Sequence, residues 1–132
     1  MNTKRITWLR PDGGISIAAQ DAPIPADWVR GLEINVTDIP TDRTFRNAWK
    51  MDLTVDMTLA REIHKNNLRI QRAPKLAALD IEYQKADEAG DLTLKKQIAD
   101  KKKALRDITV DPRIAMAQTP EELKSVIPDA LL

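Results

Sequence analysis

The chain has 132 residues, with 21 Lys and Arg against 20 Asp and Glu, a net charge of +1. That balance argues against a protein whose main work is neutralising nucleic-acid phosphates, because such domains carry a clear basic excess. Cysteine is absent, which excludes a disulfide framework and any thiolate metal site, and the 4% share of aromatics leaves a thin core for one domain, or for one small domain with an extension.

No apolar run approaches the roughly 20 residues of a membrane span, and the start lacks the apolar region of a signal peptide. A soluble protein made in the cytosol is the expectation. Residues 4 to 19, KRITWLRPDGGISIAA, carry the clearest β signal. Ile6 and Trp8 alternate with polar neighbours, Pro11-Asp12-Gly13-Gly14 supplies hairpin-turn chemistry, and Ile15 and Ile17 alternate again. The Gly-Gly pair lacks the lysine-serine end of a phosphate loop. In the proline-punctuated APIPADWVRG, one helical turn is expected at Asp27 to Arg30. LEINVTDIP reads as a strand with Leu32, Ile34 and Val36 on one face, stopped at Pro40. Thr41 or Asp42 then caps a short helix that places Phe45, Ala48 and Trp49 together. Leu53 to Val55 reads as a further strand or as an extended lead-in, with Asp56 as the next N-cap. Residues 1–55 thus form a small β-hairpin-containing unit holding every tryptophan and the single phenylalanine. A unit this short is marginal alone.

Residues 56–109 read as a helical hairpin turning near position 90. At about 100° per residue, Leu59, Ile63, Ile70, Ala73, Ala77 and Ile81 share one face, with Asn66 among them. Arg61, Lys65, Arg69 and Arg72 run down the opposite side, and beyond Pro74 that side becomes apolar at Leu76, Leu79, Tyr83 and Ala86. A helix apolar on two sides must bury both. The expectation is that the returning helix covers one face, while Leu79 and Tyr83 meet something the return helix does not provide, either the N-terminal part or another subunit. The return stripe is Leu94, Ile98, Leu105 and Ile108, with Lys101 in line. Lys101 either pairs with Asp80 across the seam or lays its stem there and sends its amine to water. Asn66 either fixes register in a coiled-coil stripe or lies at a solvated edge. In residues 110–132, Asp111-Pro112 starts a helical turn through Met116, and Thr119-Pro120-Glu121-Glu122 forms a capping box for a short last helix. The fold class expected is α+β.

Chemistry is not signalled. His64 is the single histidine and reads as a solvated helix residue, and the carboxylates are scattered as caps and helix ends. No catalytic, cofactor-binding or metal-ligating residue is assigned, and an enzyme is not expected. The basic line reads as a solvated or salt-bridging face, with nucleic acid an unfavoured partner. The candidate partner-binding residues are Leu76, Leu79 and Tyr83 together with Arg61, Lys65, Arg69 and Arg72.

The stretches RPDGGISI, DIPTDRTFRNAWK, VDMTLAREIHKNNLR, PKLAALDIEYQKADEAGD and KKKALRDITVDPRIAMAQTPEELK span nearly the whole chain. In them the chain resembles a family of small bacteriophage proteins encoded among tail and virion genes. The segment ALRDIT also looks like the short helix of phage tail-fibre assembly chaperones. The resemblance implies a place in the virion, partners among phage tail, neck or fibre proteins, and no catalytic residues. A homo-oligomer is expected from the doubled apolar faces. Two roles stand side by side: an oligomeric joint or adaptor retained in the particle, or an assembly chaperone absent from it.

Overall fold

The computed structural model describes residues 3–132 and divides the α+β chain into two compact units, one ending at Ala60 and the other running Arg61–Leu132. In the first unit, strands β1 (Lys4–Leu9), β2 (Ile15–Ala19) and β3 (Val29–Asn35) form an antiparallel sheet in the order β2-β1-β3. The β1–β2 turn forms as its residues predict. Gly13 takes φ +84°, a conformation open to glycine at little cost, and the Asp12 carboxylate accepts from the Gly14 amide at 2.8 Å.

The β1–β3 ladder contains a bulge. Ile6 pairs with Glu33 and Trp8 with Arg30, so Thr7 alone faces both Gly31 and Leu32. Thr7 is fully buried, and its hydroxyl accepts the Leu32 amide at 2.9 Å. Gly31 has no room for a side chain: a Cβ there would lie 2.5 Å from Thr7 Oγ1 and from Met51 Sδ. The extra residue breaks the strict alternation expected of β3. Ile34 is buried but Leu32 is 50% exposed, and Val36 belongs to a 3-10 turn over Val36–Asp38. The helical turn expected at Asp27 to Arg30 is likewise absent, because Val29 and Arg30 are claimed by pairing with Leu9 and Trp8.

The core of this unit gathers Ile34, Trp49 and Leu53, with Ile17, Ile39 and Val55 against it. Phe45, Ala48 and Trp49 are each buried, but on a 3-10 turn over Arg46–Ala48 with Phe45 at its N-cap, in place of the short helix expected from Thr41 or Asp42. Residues 53 to 55 form neither a full strand nor a uniformly extended lead-in: Leu53 takes φ +66° at the end of a turn, and a single bridge joins Trp49 to Val55.

Helix α1 (Met57–Glu88) is capped by Asp56, whose carboxylate accepts from the Thr58 and Leu59 amides. It continues without interruption through Pro74, and its 32 residues span about 48 Å. In the second unit Gly90, at φ +70°, turns the chain into α2 (Leu92–Arg106), with Asp91 as N-cap. Two short helices follow. α3 (Pro112–Met116) is capped by Asp111 and α4 (Pro120–Lys124) by Thr119, each with proline at its start. In the capping box at α4 the Glu122 carboxylate reaches the Gln118 amide, one residue before the cap. The largest fully buried side chains of this unit are Leu68, Ile98, Ile114 and Leu123.

Candidate partner-binding surface

Helix α1 has two apolar faces, and the structure determines which of them α2 takes. Tyr83 lies beneath two ammonium groups of α2, Lys102 at 5.3 Å and Lys95 at 5.5 Å from the ring centre. Two ion pairs flank the ring: Lys95–Asp87 at 2.7 Å and Lys102–Asp80 at 2.5 Å. Both pairs are centred on position 91, as an antiparallel hairpin folded at Gly90 requires. The hydrogen bond that Lys95 donates to the Asp87 carboxylate raises its pKa above the usual lysine range. Leu79 faces a cleft of about 420 Å³ shared with Lys101, Ala104 and Leu105 of α2 and with Ala130 and Leu132. Leu76 is half-buried and Ala86 buried on the same helical line.

Tyr83 and Leu79, expected to meet a further partner, therefore belong to the intramolecular seam. Lys102 also replaces Lys101 opposite Asp80. Its side chain is 17% exposed, whereas Lys101 is exposed. The lines Leu94–Ile98–Lys101–Leu105 and Lys95–Ile98–Lys102–Leu105 have the same three-and-four spacing. The second prevails because the Tyr83 ring offers both lysines a cation–π contact while their stems cover apolar surface.

The N-terminal half of the same face explains the basic line. Arg61 donates to the Ala117 carbonyl at 2.9 Å, the C-cap of α3, and Arg72 to the Arg106 carbonyl at 2.9 Å in the last turn of α2. Both guanidiniums satisfy helix-end carbonyls that have no donor within their own helix and sit at the negative end of the dipole. Lys65 pairs with Glu62 at 3.5 Å, and Arg69 is exposed. The four cations therefore do not form one open basic surface. His64, read from sequence as solvated, is only 6% exposed, and its Nε2 lies 2.9 Å from the Val126 carbonyl. A carbonyl only accepts, so Nε2 carries the proton.

The face expected to receive α2 is the open one. Ile70 is 64% and Ile81 58% exposed; Asn66, Ala73 and Ala77 are exposed, and Ile63 is half-buried. The two faces match in apolar spacing, but they differ in donors. Only the line His64, Leu68, Arg72 and Arg61 can serve the carbonyl ends of α2 and α3 and that of Val126. Burying that line satisfies polar groups that would otherwise be stranded. Its four-residue spacing from Ala60 through His64 and Leu68 to Arg72 was present in the sequence as the signal.

Among the described residues no three His, Asp or Glu side chains gather to hold a metal ion, and no helix is long and apolar enough to cross a membrane. Comparison with protein-family models, with curated proteins and with solved structures finds no match to this chain.

Proposed function

We propose that this protein is a structural component of a bacteriophage virion, an oligomeric joint or adaptor among tail, neck or fibre proteins. The observation that carries the reading is the open apolar face of α1. Large aliphatic side chains recur along it from Ile63 to Ile81, and Ile70 and Ile81 are more than half exposed. An extended apolar line bordered by charged residues such as Glu62, Arg69 and Lys85 has the layout of an interface, apolar at its centre and polar at its rim. The resemblance of the chain to small phage proteins encoded among tail and virion genes supplies the setting, and the buried seam supplies a rigid support for the face.

Mass spectrometry of purified particles tests the reading. The protein is expected at a fixed ratio to a tail, neck or fibre protein. Its presence in infected-cell lysate with absence from purified particles would replace the joint by the assembly chaperone.

A further inference from the structure

We propose that Arg10, Arg43 and Arg46 of the first unit form a binding site for a divalent oxyanion, of the size and charge of a phosphate or sulfate group. The three guanidiniums meet beside the β1–β2 turn. Arg10 directly follows β1, and its guanidinium fills the space above Gly14 that a side chain there would take. Arg46 donates to the carbonyl of Ile15, the next residue along. Arg43 lies one turn before Arg46, whose amide bonds the Arg43 carbonyl at 3.0 Å. Burial first, and then the charges of Arg43 and Arg10, push the Arg46 pKa below the usual arginine range. Both neighbours are therefore within electrostatic reach of it, and no carboxylate offsets them there.

Two of these side chains are held in place by contacts that leave donors over. Arg46 lies against the Trp49 ring, 4.7 Å from its centre, and Arg10 is tied to the Asp12 carboxylate at 3.2 Å. A guanidinium carries several N–H donors in a rigid fork, and these contacts occupy one at Arg10 and one at Arg46. Both are half-buried, whereas Arg43 is exposed and forms no ion pair among the described residues. The Asp42 carboxylate, next to Arg43 in the chain, accepts from the Thr44 amide and hydroxyl. Three guanidiniums with the Asp12 carboxylate leave two positive charges in excess. Like charges this close repel, and an anion between them removes that cost. A carboxylate would offset half of the excess and a divalent oxyanion all of it, with oxygens enough to accept from more than one fork.

Isothermal titration calorimetry of the full chain with sodium phosphate tests the site, at constant ionic strength and at a pH where phosphate is divalent. Phosphate and sulfate are expected to bind comparably, and acetate at least about tenfold more weakly. Arg43→Gln is expected to weaken phosphate by about tenfold, since hydrogen bonds between charged groups are the strong class. Its circular dichroism is expected to match wild type, because the position is exposed. Arg46→Lys keeps the charge but loses the fork, and is expected to weaken phosphate as well. Lys96→Gln, exposed on α2 in the second unit, removes the same charge and is expected to change nothing. N-acetyl-O-phosphoserine amide separates two sources of the anion. Tighter binding than inorganic phosphate assigns it to a phosphorylated chain, weaker binding to the free ion, and either order supports the site. Absence of phosphate and sulfate binding at millimolar concentration overturns the proposal. So does binding that acetate matches, that Arg43→Gln leaves unchanged, or that Lys96→Gln weakens equally.

Discussion

Thr7 sits where β1 and β3 fall out of step, and one hydroxyl takes over the bond that the ladder drops there. Thr7→Val is expected to cost about 1–2 kcal/mol, the price of a buried amide left unpaired, while Thr7→Ser keeps most of the wild-type stability; urea denaturation of the three proteins checks this. At Asp111 the same kind of local pairing depends on pH. The Arg113 guanidinium grips its carboxylate, which is 14% exposed, and holds it below the usual carboxylate range. A lowered folded-state pKa gives stabilisation that is complete above the unfolded value of about 3.9. It is lost as pH falls through the folded value. Asp111→Asn, which can still cap α3, is therefore expected to be less stable than wild type at neutral pH, and the gap to close on acidification below about pH 4. Urea titrations across a pH series measure it. The caps at Asp56, Asp91, Asp111 and Thr119 were legible in the sequence because cap and amide lie two or three residues apart. His64 was not, since its carbonyl partner is 62 residues away.

At the scale of elements, the turn at Gly90 and the extents of α1 and α2 follow from periodicity and turn chemistry. Which face of α1 is covered did not follow, because two lines of equal apolar spacing compete. Hydropathy does not distinguish them, whereas arginine and histidine donors aimed at distant carbonyls do. The seam itself is testable through Tyr83. A double-mutant cycle between Tyr83→Leu and Lys102→Met is expected to show favourable coupling of about 0.5–1 kcal/mol, the scale of a cation–π contact at a partly exposed site. The matching cycle with Lys101→Met is expected to show none within error. Comparable coupling for Lys101 would return the seam to the register read from the sequence. Similar competition between equivalent patterns explains β3, where the bulge at Gly31 moved Leu32 outward. A glycine inside a strand was the available sign.

For the whole molecule, the α+β class was legible from the change of period near Asp56. The spectroscopic probes divide in the same way. Trp8, Trp28 and Trp49 all belong to the first unit, whereas helix content belongs mainly to the second. Unfolding in urea followed by tryptophan fluorescence and by far-ultraviolet circular dichroism is expected to give two transitions with different midpoints. Coincident curves would make the chain a single cooperative system.

The hairpin turn also has a kinetic consequence. The first ion pair beyond Gly90, Lys95 to Asp87, closes over eight residues, whereas the Thr7–Leu32 bond in the sheet must close over 25. Short closures lose less chain entropy and form sooner. The seam therefore zips outward from its turn, with Tyr83 joined before Arg72 reaches the end of α2. The sheet has no comparable local start between β1 and β3. Refolding rates of seam variants carry the record, falling most for substitutions at Asp87 and Lys95 and least for those at Arg72.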